Sequence, residues 1–175
     1  MSVRASVFVG VSVDGFLARA DGALDFLDAG GNEPHGYDEF IASVDALVIG
    51  RKTFETVLGF GGWTYGSKPV FVLTSRPLPP TPPEAIVERV VGTPAAILDT
   101  VGKRGLGHVY VDGGITIQQF LAAGLIQRMI VTRVPVLIGS GIPLFGSLQK
   151  DILLRHVATR TFAGGLVQTE YAVGA

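Results

Sequence analysis

Apolar residues along this chain fall into short, nearly unbroken runs separated by segments of helical spacing. Val7-Phe8-Val9-Gly10-Val11, Ala46-Leu47-Val48-Ile49, Val70-Phe71-Val72-Leu73 and His108-Val109-Tyr110-Val111 lack the alternation of a half-exposed strand. Runs of this kind predict strands covered on both faces, as in a parallel sheet. Met129-Ile130-Val131 starts a fifth strand, and apolar character continues to Ile138. Ile152 to Thr159 and Leu166 to Val173 predict a closing antiparallel pair that turns at Ala163-Gly164-Gly165. Helices fit between the runs at Tyr37 to Ser43, at Lys52 to Leu58 and from Thr116 to Gly124. Thr93-Pro94 is a helix start, with Thr at the N-cap and Pro at the first helical position; that helix is expected to stop at Gly105. Strands alternating with helices predict one α/β domain over residues 1–175. Its expected form is three layers, α/β/α, around a central mixed, mostly parallel sheet.

Composition narrows the function. The chain has 175 residues, 47% apolar and 17% charged, which excludes intrinsic disorder. A net charge of −1 and the absence of a basic patch interleaved with aromatics argue against nucleic acid as a partner. With no cysteine, disulfides, zinc-thiolate sites and thiol nucleophiles are out. His35, His108 and His156 are scattered without metal-ligand spacing, so no metal is expected. No apolar run approaches the roughly 18 residues of a membrane span, and a cytoplasmic protein is expected. Pro77 to Pro83 reads as a stiff surface loop.

Chemistry is expected where strands hand over to helices, because ligands of such sheets bind beyond the carboxyl ends of the strands. Gly50-Arg51-Lys52-Thr53 follows a buried strand directly and opens a helix. The helix N-terminus offers unpaired N–H groups, and two cations at that end oppose the helix dipole unless an anion joins them. Asp112-Gly113-Gly114-Ile115-Thr116 repeats the arrangement, although two glycines alone are more often a tight turn. Two such junctions in one small domain favour a dinucleotide. Thr74-Ser75-Arg76 closes a third strand and suits either a 2′-phosphate or a polar loop. Ser12-Val13-Asp14-Gly15 contains the turn dipeptide Asp-Gly, whose commonest meaning is the turn itself.

Taken in order, these segments resemble the dihydrofolate reductase superfamily, and within it the branch that contains the riboflavin-pathway reductase domain. Gly50-Arg51-Lys52-Thr53-Phe54-Glu55 is similar to the superfamily's GRKT[WFY]E segment, and Ser12-Val13-Asp14-Gly15 to the S-x-D-G of the riboflavin-type reductases. Val72 to Arg76, Asp112-Gly113-Gly114 with Gln118 to Leu121, Met129 to Thr132 and Gly139 to Phe145 extend the likeness over nearly the whole chain. The resemblance implies NADPH as cofactor. Gly50, Arg51, Lys52, Thr53, Asp112, Gly113, Gly114, Ile115 and Thr116 would be at the diphosphate, and Thr74, Ser75 and Arg76 at the 2′-phosphate. Val9, Gly10 and Leu17 would be at the nicotinamide, with Ala18 to Phe26 as a lid. It also implies a homodimer formed through the closing strands and Gly139 to Leu148. Two departures argue against folate itself: Gly36 stands one turn before Phe40 where dihydrofolate reductases carry a carboxylate, and Phe26 replaces a tryptophan. The deaminase usually joined to the riboflavin-pathway domain has no counterpart here, so a stand-alone domain is expected.

Two functions follow. The first is an NADPH-dependent reductase of a small pteridine-, pyrimidine- or ribosylamino-type heterocycle. In it Asp14, its pKa raised by burial, polarises substrate or relays a proton beside Thr132. A bound water is an equal candidate for the donor. The second is an NADP(H)-binding protein without catalysis. NADPH oxidation with a panel of substrates distinguishes them.

Overall fold

The computed structural model describes residues 2–174. In chain order the elements are β1 (Arg4–Ser12), β2 (Phe16–Ala18), a 3-10 helix (Asp25–Gly30), α1 (Tyr37–Ala42), β3 (Ala46–Gly50), α2 (Arg51–Leu58), β4 (Val70–Leu73) and β5 (Val87–Val90). They continue with α3 (Pro94–Gly102), β6 (His108–Asp112), α4 (Gly114–Ala122), β7 (Arg128–Val134), β8 (Ile142–Pro143), β9 (Leu154–Thr161) and β10 (Val167–Val173). Eight strands form one sheet in the order β5-β4-β3-β6-β1-β7-β10-β9. All neighbours are parallel as far as β7; β10 and β9 are antiparallel. The expected mixed, mostly parallel sheet is therefore the observed one.

Helices cover both faces of β1, one apolar throughout and the other carrying Phe8 among buried Ser6 and Ser12. Ala5, Val7, Val9 and Val11 pack with Ile97, Val101, Ile117 and Phe120 of α3 and α4. Phe8 points the other way, to Phe40 of α1 and to Phe54 and Val57 of α2. Phe54, Phe71 and Phe120 are fully buried. Each such ring contributes about 1.5–3 kcal/mol by leaving water, which fixes the helices that carry the glycine junctions.

Thr93 caps α3 as expected, its Oγ1 accepting the Ala96 amide at 3.3 Å. The helix ends at Gly102, and the chain reaches Gly105 through a turn. β7 stops at Val134 rather than Ile138, since Pro135 has no N–H to continue the ladder. Strand β5 is absent from the sequence pattern: Glu88 and Arg89 interrupt its apolar character, which an edge strand tolerates. The consequence for function is geometric. Parallel pairing brings the carboxyl ends of β1, β3, β4, β6 and β7 to one edge of the sheet.

Candidate active site at the carboxyl edge

Strands β3 and β6 are neighbours with Ile49 opposite Asp112, so the junctions at Gly50 and Gly113 lie side by side. They interlock. A Cβ on Gly113 would lie 2.6 Å from Thr53 Oγ1, and one on Gly50 would lie 2.9 Å from Thr116 Oγ1. Each helix thus presses a first-turn hydroxyl against the other's glycine. Gly113 also adopts φ +98° and ψ 134°, a conformation in effect reserved for glycine. Neither α2 nor α4 receives a side-chain cap, so the orphan N–H groups of two adjacent helix starts face the same edge. Leu17 of β2 and Ile142 of β8 close over Gly114, within 3.5 Å of where its Cβ would be. Ile115 projects into solvent.

The cations at the first junction are arranged differently from each other. Arg51 donates from Nε to Glu55 Oε1 at 2.7 Å and from Nη1 to the Pro77 carbonyl at 2.7 Å. Its charge is shared with Glu55, and its second bond ties α2 to the end of the Thr74–Pro77 loop. Lys52 is exposed. Thr74 Oγ1 accepts the Arg76 amide at 3.2 Å, which shapes that loop, and Ser75 and Arg76 are exposed on it. Arg89 of β5 donates to the Ser75 carbonyl at 3.0 Å. This second guanidinium beside the loop was hidden in the sequence because β5 itself was.

Asp14 corrects an expectation. Its carboxylate is exposed and accepts the amides of Gly139 at 2.8 Å and Ile138 at 3.3 Å. Hydrogen bonding with the Ser12 side chain is the largest influence and, with the smaller help of those amides, holds its carboxyl below the ordinary value against desolvation. The shift runs opposite to the one an acid at neutral pH needs. Asp14 sits in a tight turn closed by the Gly15 amide on the Ser12 carbonyl, and it anchors the segment after β7. Thr132 is buried opposite Gly10 in the β1–β7 ladder, and its Oγ1 accepts from Gln168 Nε2 at 2.9 Å. Leu27 covers Gly10, where a Cβ would lie 3.1 Å from Leu27 Cδ2; Val9 faces the core beneath. The Ala18–Phe26 segment folds on itself through a two-point Arg19–Asp25 ion pair of 2.6 and 2.9 Å.

The carboxyl with the perturbed chemistry is Asp112. Its Oδ1 accepts the Gly113 amide at 2.8 Å. Burial pushes its pKa above 3.8, and the Gly113 amide and the Tyr110 side chain only partly oppose this. Tyr37, Tyr65 and Tyr110 are close enough for its charge to raise each of them after burial has done so, Tyr37 to about 12. Tyr110 donates to the Phe8 carbonyl at 2.7 Å. The sequence placed Asp112 beside the glycines but gave no signal that α1 and the segment after α2 bring Tyr37 and Tyr65 to it. His108, by contrast, is structural: it bonds Ser6 Oγ at 2.8 Å and the Ser43 carbonyl at 2.9 Å. No group of three or more His, Asp or Glu side chains suited to a metal ion occurs among the described residues.

The model of the RibD C-terminal domain matches residues 5–168. The chain belongs to the RibD C-terminal domain family. YwjB of Bacillus subtilis, a protein without an assigned function, is 32% identical over 174 residues and 98% of both chains. A Shewanella sp. PV-4 protein provisionally assigned to riboflavin biosynthesis is 36% identical over the full length of both chains, with a TM-score of 0.90. The dihydrofolate reductase of Enterococcus faecalis, solved with NADP(H) and RAB-propyl, shares the fold: TM-score 0.66 over both full chains at 17% identity. Within this RibD-like domain, the residues expected at a diphosphate are brought together. Those expected at a 2′-phosphate flank them in the loop that follows the neighbouring strand β4. Asp14 lies on β1's outgoing turn, bonded to a different loop.

Proposed function

We propose that the protein is an NADPH-dependent reductase of a small heterocyclic substrate. The observation that carries this reading is the interlocked pair of uncapped helix starts at Gly50 and Gly113, a cradle that a Cβ at either position would fill. Such a cradle fits a diphosphate, since its donors are backbone N–H groups and its dipoles favour anions. Gly50 to Thr53 and Gly113 to Thr116 would hold the diphosphate. Thr74, Ser75 and Arg76, with Arg89 behind them, would take the 2′-phosphate, and Val9, Gly10 and Leu17 the nicotinamide end.

When bound, NADPH supplies a hydride. The chain's own residues must orient the acceptor, exclude water and deliver a proton. Asp112 fits the last task better than Asp14. Its carboxyl stands at the end of β6 beside the cradle, one oxygen is fixed by the Gly113 amide, and burial favours the protonated form. Thr132 Oγ1 accepts from Gln168 Nε2, which positions the hydroxyl and leaves its own proton to donate.

Mixing purified protein and NADPH with dihydrofolate, pterins and the ribosylaminouracil phosphate, and following loss of NADPH absorbance, tests the reading. Turnover of at least one compound supports a reductase. Tight NADPH binding without turnover favours the alternative of a binding protein. We also propose a homodimer. β9 is an eight-residue edge strand exposed along nearly its whole length, with Leu154 and Val157 in water. Sedimentation at micromolar concentration should give twice the chain mass. No helix among the described residues is long and apolar enough to cross a membrane; our reading places the enzyme with the reduced coenzyme of the cytoplasm.

A further inference from the structure

Strand β6 ends in Tyr110-Val111-Asp112, and the two-residue period of a strand puts the Tyr110 and Asp112 side chains on one face of the sheet. Leu47 and Ile49 of β3 stand opposite them. The titratable groups that face Asp112 are three phenols: Tyr37 from α1, Tyr65 from the segment after α2, and Tyr110 from its own strand. All three are uncharged at neutral pH, because burial holds each above its ordinary value. A neutral phenol acts on a carboxyl chiefly through a hydrogen bond, so the three are not equivalent. The Tyr110 hydroxyl is within hydrogen-bonding reach of the Asp112 carboxyl. Tyr37 and Tyr65 sense its charge but share no hydrogen bond with it.

Tyr110 has one hydroxyl proton for two acceptors. In the structure the Phe8 carbonyl of β1, 2.7 Å from Tyr110 Oη, receives it. That arrangement suits Asp112 as a carboxylic acid: Oδ1 accepts the Gly113 amide at 2.8 Å, which leaves Oδ2 to carry the proton. Once the acid gives up its proton, a carboxylate faces a hydroxyl whose hydrogen points elsewhere. Rotation about the phenolic C–O bond turns the hydrogen from Phe8 to the carboxylate. A hydrogen bond to a charged acceptor is stronger than one to a neutral carbonyl, so the turn is favourable.

We propose that Tyr110 is a positioning residue whose hydroxyl switches from the Phe8 carbonyl to Asp112 as that carboxyl ionises. The Tyr110 O–H bond stays intact throughout. Only the Asp112 O–H bond breaks, its proton passing to the substrate atom that accepts it. The use of the switch in turnover rests on the reductase reading; the switch itself does not.

Carbon-13 NMR of the full-length protein without ligand reads the switch directly. The Asp112 Cγ and Phe8 carbonyl resonances should move together across pH, with one midpoint, and in Asp112→Asn the Phe8 titration should vanish. Tyr110→Phe removes the donor to the carboxylate, so Asp112 should titrate about one unit higher, the worth of one hydrogen bond to a charged group. Tyr37→Phe removes no bond to the carboxyl and should leave the midpoint in place. In the turnover assay, the fall of kcat with rising pH should move upward in Tyr110→Phe by the same shift. A Phe8 carbonyl that stays flat while Asp112 titrates overturns the proposal, and that result needs no variant to fold. An unmoved Asp112 midpoint in Tyr110→Phe, or an equal rise in Tyr37→Phe, overturns it as well. Coinciding carbon titrations without turnover of any compound would remove the reductase reading and leave the switch standing.

Discussion

Replacing Gly113 by alanine tests the cradle most economically. The new methyl carbon must do two things at once. It must hold φ +98° and ψ 134°, and it must sit 2.6 Å from Thr53 Oγ1. The first effect costs about 1–3 kcal/mol for a non-glycine residue. The second forces the Thr53 hydroxyl aside or moves the start of α2 away from α4. Gly105 supplies the control: it has φ +77°, yet a Cβ there meets nothing within 4 Å. Gly105→Ala should therefore lower stability in urea titration by about 1–2 kcal/mol, the left-handed penalty alone, with NADPH affinity untouched. Gly113→Ala should lower stability by a similar or larger amount and weaken NADPH at least about tenfold, since 1.4 kcal/mol of lost cradle geometry corresponds to that factor. Adding Thr53→Ala removes the Oγ1 clash but keeps the backbone strain, the Thr53 Cβ being 3.6 Å away. The double variant should then lose less stability than the sum of the two single variants. If Gly113→Ala binds NADPH as the parent does, or if Gly105→Ala weakens binding equally, the glycine is serving the turn and not a ligand.

Three further outcomes follow. Arg76→Ala should weaken NADPH far more than NADH in fluorescence titrations, and equal losses would remove the 2′-phosphate assignment. Asp112→Asn should lower turnover with NADPH affinity nearly intact. Because burial raises this carboxyl in the folded state, the parent's stability from it is complete below about pH 4, near the unfolded value, and declines as pH rises through the raised one. The variant should accordingly be the more stable protein at pH 7, with the gain vanishing on acidification; a gain that persists at pH 3 contradicts the assignment. Asp14→Asn should speed amide exchange at Ile138 and Gly139, the two donors it now holds, and unchanged exchange there would mean that the carboxylate is not the anchor.

Much of the fold was legible because a parallel sheet buried on both faces writes itself as continuous apolar runs. Ala46 to Ile49 and Val70 to Leu73 needed no tertiary information. Thr93-Pro94 and the glycines after two strands were equally local signals. What escaped the sequence was non-local or short. β5 carries two charges in four residues and exists because β4 offers an edge. β2 and β8 are three and two residues long. The site was half legible. Glycine at a strand end announces a close approach, and register then decides that Gly50 and Gly113 meet. Asp14 misled because Asp-Gly is a turn signal whose carboxylate found its donors 124 and 125 residues away. The state of Asp112 rests on its burial, opposed by the Gly113 amide and the Tyr110 side chain, and that burial comes from packing the local sequence does not show.

An amide-resolved NMR titration with NADPH addresses the convergence of the two junctions directly. Saturable shifts in both Gly50–Thr53 and Gly113–Thr116, fitted by one dissociation constant, are the expected result. Shifts at one segment alone, or different constants for the two, would mean that these helix starts do not grip a single diphosphate.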